Sequence, residues 1–188
     1  MNKTILLFTS LILMIACQTV KSPKGIMENS PEASVIKFLN FYNSHLSDIS
    51  NFRFVNEINP NDSNDFYRIN YSQTDKYLDL LSSSGYISES YVKAQKQYFK
   101  KCDLEYQKTH PNNGPPAGLE ADLVMIANAD IEEELAKLDS VKVIISEING
   151  NKAKVILQLI YDDKKTYDLS LNKDKTWQID RIENLIDK

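Results

Sequence analysis

The sequence predicts an α+β fold, with amino-terminal helices packed on a curved four-stranded antiparallel meander. Three observations carry this. Apolar residues recur at helical spacing through the first two thirds of the chain, and branched and aromatic residues alternate through four short runs in the last third. The links between those runs are too short for anything but antiparallel neighbours.

The chain opens with Met1-Asn2-Lys3-Thr4 and continues in an apolar run from Ile5 to Ala16, broken only by Thr9 and Ser10. A bilayer core needs about 20 apolar residues, so this shorter run reads as a secretory signal peptide over residues 1–16. Met14-Ile15-Ala16-Cys17 resembles the bacterial lipobox. The resemblance implies that Cys17 becomes the lipidated first residue and that several acyl chains hold the protein on a membrane of the bacterial cell envelope. Gln18, where an aspartate would retain the protein in one sorting scheme, points to the outer membrane. Residues 17–30 then form the lipidated cysteine and its tether, and residues 31–188 one domain.

The 26 acidic and 22 basic residues give a formal charge of −4, and loss of Lys3 with the signal peptide leaves about −5. No basic cluster stands out, which argues against a nucleic-acid partner. The lysines of Lys93–Lys101 interleave with Tyr98 and Phe99 and read as a solvated helix face. Once Cys17 carries lipid, Cys102 has no partner thiol. With His45 and His110 the only histidines, no zinc site is expected, nor any other metal or cofactor.

Ser30-Pro31-Glu32 opens the first helix with a cap, a proline suited to the first turn and an acid at the positive end. Val35, Phe38, Leu39, Tyr42, Leu46 and Ile49 share one face, with His45 at its edge and Phe41 beyond. Residues 50–71 lack a period and contain the turn signal Asn59-Pro60-Asn61-Asp62. Ser72-Gln73-Thr74-Asp75 should cap a second helix carrying Tyr77, Leu78, Leu80 and Leu81, stopped at Gly85. Ser88 should cap a longer one reaching about His110, with Tyr91, Ala94, Tyr98, Cys102 and Tyr106 inward. Pro111–Gly118 is a loop. Leu119–Ala129 is expected to form a short helix with Leu123, Ile126 and Ala127 inward.

Four strands follow, over Val141–Ile148, Lys152–Tyr161, Thr166–Leu171 and Thr176–Ile182. Asn149-Gly150 signals a tight hairpin, and Asp162-Asp163-Lys164 and Asn172-Lys173-Asp174 mark the next turns. Ala153, Val155, Leu157, Leu159 and Tyr161 alternate onto one face, as do Tyr167, Leu169 and Leu171, and Trp177 with Ile179. Trp177 should lie buried against the first helix, its indole N–H paired.

The helix bearing Phe38-x-x-x-Tyr42, with the final strand Trp177-Gln178-Ile179-Asp180-Arg181-Ile182, resembles the nuclear transport factor 2-like, cystatin-like superfamily. The lipoprotein amino terminus, the tyrosine-rich middle helices and Asp122–Asp130 resemble an uncharacterised family of bacterial envelope lipoproteins. The resemblance spans roughly residues 31–183. It implies a cone with a pocket at its wide end, and no activity that can be carried over.

A pocket enzyme needs an acid or base and an oxyanion donor facing one cavity. Tyr42, His45, Asp75, Tyr161, Tyr167 and Asp168 are the candidates, though Asp168 alternates opposite Tyr167 and should face away. Glu132-Glu133-Glu134 reads as a solvated helix face. No glycine-rich phosphate loop or nucleophile elbow occurs. The expectation is a non-catalytic lipoprotein that binds a small ligand or another envelope protein, with Tyr42, His45, Tyr167 and Trp177 as candidate contacts. The alternative is a small hydrolase, isomerase or lyase. A deep apolar pocket would favour a ligand, and a filled interior with an exposed apolar patch would favour a protein partner.

Overall fold

The computed structural model describes residues 26–59, 61–62, 64–127, 131–160 and 164–185. The expected signal peptide and Cys17 lie outside the described residues, as do most of the tether and Tyr161.

Five helices precede a four-stranded antiparallel sheet. Helix α1 spans Pro31–Ser44, and the Ser30 side chain accepts from the Ala33 amide as its capping chemistry requires. The helix ends at His45, and the short α2, Leu46–Ser50, continues the apolar face to the buried Ile49. Helix α3 spans Tyr71–Ser83. Its cap is Asn70, whose side chain accepts from the Gln73 amide, rather than the expected Ser72. Gly85, at φ +77, follows its end.

Helix α4, Glu89–Thr109, is capped by Ser88. Its buried stripe is Tyr91, Phe99, Cys102, Asp103 and Tyr106: Tyr91, Cys102 and Tyr106 lie inward as expected, whereas Ala94 and Tyr98 are exposed and Phe99 and Asp103 take their place. Tyrosine hydroxyls hold the following loop. Tyr67 donates to the Gly114 carbonyl, Tyr98 to that of Gly118 and Tyr106 to that of Ala117. Gly118 sits at φ +83, where a Cβ would come within 2.9 Å of the Tyr98 hydroxyl oxygen, so both conformation and space require glycine there.

Residues 119–127 form turns, not the expected helix. The Asp122 side chain takes the amides of Val124 and Met125, and Val124 and Met125 are buried in place of Leu123, Ile126 and Ala127. Helix α5, Ile131–Ala136, leads through a 3-10 turn at Leu138–Ser140 into the sheet. Glu134 turns inward and is buried, against the expectation of a wholly solvated acidic face.

The strands are β1 Lys142–Asn149, β2 Lys152–Gln158, β3 Lys164–Leu171 and β4 Trp177–Asn184, in the order β1-β2-β3-β4. The first hairpin turns on Gly150-Asn151, one residue later than the sequence suggested, with Gly150 at φ +60 and Asn149 opposite Lys152. Ala153, Val155, Leu157, Tyr167, Leu169 and Ile179 form the buried inner face over which α1 packs. Asp168 faces away and meets Lys154 on the outer face, as the alternation requires. Trp177 joins the core that includes Val35, Leu39 and Tyr42, and is only 7 % exposed. Among the described residues its indole N–H has no hydrogen-bond acceptor, contrary to expectation.

Candidate functional site

The two edges of the sheet differ. The outer edge of β4 is covered at Ile179 by residues 86–88: the Ser88 amide donates to the Ile179 carbonyl at 3.1 Å, and the Ile179 amide to that of Tyr86 at 2.7 Å. Gln178 fastens the same segment through the carbonyls of Gly85 and Ile87. The outer edge of β1 pairs with nothing among the described residues.

Strand β1 reads Lys-Val-Ile-Ile-Ser-Glu-Ile-Asn and is exposed along its whole length. Val143, Ile144, Ile145 and Ile148 are 36–59 % exposed. The exposure arises on both faces. Val143, Ser146 and Ile148 lie opposite the inward residues Leu157, Val155 and Ala153, while Ile145 lies opposite Ile156 on the outer face. A bulge between Val143 and Ile145 adds Ile144 to the apolar stretch. An edge strand this apolar, with unpaired backbone groups, is a ready template for an incoming strand.

The openings that stand out among the described residues are surface clefts. One of about 300 Å³ is lined by Tyr42, Tyr77, Phe52, Phe54, Glu120 and Asp122, among others. In it Tyr42 donates to Asp122 Oδ2 at 2.5 Å. Burial, and then the Asp122 carboxylate, push the Tyr42 hydroxyl far above the ordinary tyrosine range. Burial also raises Tyr77 well above that range, and its hydroxyl has no hydrogen-bonding partner of normal geometry. Both Asp122 oxygens are engaged, one by two backbone amides and one by Tyr42. The pair therefore acts as a latch that fixes the 119–127 turns to α1. A tyrosine so hard to ionise, with its proton already donated, is poorly placed to move a proton in a reaction.

The other expected contacts do not converge on this cleft. His45 stacks on Phe41 at 4.2 Å and reaches the Phe41 carbonyl and the Ser44 hydroxyl through Nδ1, away from the cleft lining. Tyr167 is fully buried in the sheet, its ionisation opposed first by burial and then by Glu134. Trp177 is core. Asp75 lies on the surface, paired with Lys96 at 2.8 Å. A second groove, of about 560 Å³, has Ile87 and Val92 in its floor and Lys93, Lys96 and Lys100 at its rim. The expected lysine face of α4 thus borders solvent.

Two features of the fold were not legible as such in the sequence. One is Asp122 as the partner of Tyr42, which no local pattern announces. The other is β1, whose unalternating run Val143-Ile144-Ile145 was the available signal.

No protein-family description matches the chain, and no curated protein is significantly similar to it. Among solved structures, the chain resembles one from the type VI effector-immunity complex Tae3-Tai3 of Ralstonia pickettii. The native form matches at TM-score 0.44 and the selenomethionine form at 0.42, both at 18 % identity. Each match covers 85 % of this chain and 98 or 99 % of the other. A likeness of that degree fixes neither partner nor activity.

Proposed function

We propose that this chain is a non-catalytic lipoprotein of the bacterial cell envelope, anchored through lipid on Cys17 in the outer membrane, whose domain binds a protein partner by strand addition at β1. The observation that carries the partner reading is the asymmetry of the sheet. One edge is occupied at Ile179 by residues 86–88, while the other presents Val143, Ile144, Ile145 and Ile148 to solvent. Burying those side chains against a partner would gain roughly 25 cal/mol per Å² of apolar surface. The backbone edge would supply direction and register. The anchor reading rests on the amino-terminal sequence.

The test places a photo-crosslinking residue at Ile144, at Ile148 and, for comparison, at the exposed Leu104 on α4, in the full chain expressed in cells. Protein adducts of one discrete mass from the two β1 positions and none from Leu104 are expected. Adducts of equal yield from all three positions, or none from β1, would remove the edge from consideration.

The second reading, a small pocket enzyme, draws on a specific observation: Tyr42 and Asp122 share one cleft. It competes with the latch. Catalysis would require Asp122 or Tyr42 to release its present partner when substrate enters. A ligand-induced change in the exchange of the Val124 and Met125 amides would favour this reading over strand addition.

A further inference from the structure

We propose that the strand received by β1 is β1 of a second copy of this chain, running antiparallel about a two-fold axis between Ile144 and Ile145. This rests on β1 being the docking edge and names its occupant.

A two-fold interface must be self-complementary: if residue i meets residue j of the second copy, then j meets i. The charges of β1 are one cation, Lys142, and one anion, Glu147. Both lie on the outer face, opposite Gln158 and Lys154 of β2, whereas Val143 and Ser146 lie on the inner face, opposite the buried Leu157 and Val155. Setting Lys142 against the second copy's Glu147 automatically sets Val143 against its Ser146 and Ile144 against its Ile145. This register matches outer residues with outer and inner with inner, and only the bulged Ile144 departs from the alternation.

The neighbouring registers fail. A slip of one residue places Lys142 opposite an inner-face residue, Ile148 or Ser146, and flips the pairing of faces. A slip of two places Lys142 opposite Asn149 and Ile144 opposite Glu147, or Lys142 opposite Ile145. Either choice breaks both ion pairs and sets an apolar side chain against a charge. The self-paired register is thus the one that makes the two charges of the edge mutually satisfying and brings the isoleucines together at the centre. The β4 edge is occupied at Ile179 by residues 86–88 and carries no apolar run like that of β1. With β1 paired about the two-fold axis, each copy's docking edge is used, so association closes at two copies and an eight-stranded sheet.

Two measurements on the full-length, detergent-solubilised protein test this. Charge reversal comes first. Lys142→Glu or Glu147→Lys alone should weaken dimerisation by about tenfold or more in sedimentation, and Lys142→Glu with Glu147→Lys should restore it, since the swapped pair meets its complement again. Disulfide trapping comes second. Differently tagged Lys142→Cys and Glu147→Cys chains, mixed and oxidised, should give a mixed dimer. Each alone should not, because like positions would stand roughly 16 Å apart at about 3.3 Å per residue. A protein that stays monomeric at every concentration overturns the inference, as does a dimer indifferent to both reversals. If the photo-crosslinks at Ile144 and Ile148 instead capture a protein of different mass while self-pairing fails, the docking edge survives and only its occupant is wrong. If β1 forms neither kind of adduct, both fall.

Discussion

The Tyr42 hydroxyl on α1 and the Asp122 carboxylate in the turns before α5 meet at 2.5 Å across 80 residues of sequence. The bond is charge-assisted and partly buried, the kind whose loss costs about 1.5–3 kcal/mol. Tyr42→Phe keeps the ring in the core and removes only the donor. It should lower stability in urea by that amount and speed hydrogen exchange at the Val124 and Met125 amides, which Asp122 holds. Unchanged exchange there would mean that the turns hold themselves.

Tyr42, Tyr77, Tyr91 and Tyr167 all have ionisation pushed upward, burial being the first cause at each. A folded value raised above the unfolded one, about 10 for tyrosine, means that the native state holds its protons longer. The resulting stability is fully present below about pH 10 and is lost as pH rises beyond it. Tyrosinate absorbance should therefore rise in two stages, the exposed residues first and the buried set only together with loss of helical circular dichroism. A single smooth rise in a folded protein would contradict this.

Asp103 on α4 makes the reverse contribution at acid pH. Burial works to raise it, but bonds from Arg68 at 3.1 Å, the Ile69 amide at 2.9 Å and Gln107 at 2.8 Å outweigh this and hold it below the ordinary carboxylate range. A depressed folded value means stability that is full above the unfolded value of about 3.9 and lost as pH falls through the folded one. Asp103→Asn should cost roughly 1.5–3 kcal/mol at pH 7, and the gap between variant and wild type should narrow toward pH 3 in urea titrations. A gap independent of pH would assign the loss to packing.

The meander was legible because alternation and turn residues agree along β2, β3 and β4, and α1 because its cap and apolar face agree. The inward face of α4 was legible at Tyr91, Cys102 and Tyr106 but not at Ala94 and Tyr98, which satisfy the same helical spacing yet face solvent. The buried stripe also contains Asp103, a carboxylate that an apolar count skips. The 119–127 segment carries helix-like apolar spacing and Asp122 caps its one turn, but Ile126 stands at φ +50 and ends it there. The candidate docking edge was the least visible feature. Val143-Ile144-Ile145 has the composition of a strand buried on both faces, and only the three-dimensional limit of the α1 cover leaves it in solvent.

Trp177 tests the packing of the sheet against the helices. It opens β4 opposite Leu171, 7 % exposed, in one continuous core with Val35 and Leu39. Trp177→Ala should cost about 3–5 kcal/mol through lost burial and the cavity left behind. Emission of this single tryptophan should be blue-shifted in the native protein and move red in denaturant. Native emission already at the solvent-exposed position would place β4 in a different register.

The anchor can be tested apart from the domain. Cys17 follows a short apolar run and supplies the one thiol that the lipobox resemblance assigns to lipid. Several acyl chains on that residue would hold the protein stably, whereas one chain gives only marginal binding. Cys17→Ser keeps the size and removes the thiol. Labelled fatty acid should therefore enter the wild type and not the variant. The mature wild type should begin at Cys17 and partition with membranes or detergent. Cys102 is buried on α4, so it offers no substitute acceptor, and Cys102→Ser should label like wild type. Equal labelling of the wild type and Cys17→Ser would show that the amino-terminal run serves another purpose, and the domain's partner would then have to be sought without assuming a membrane surface.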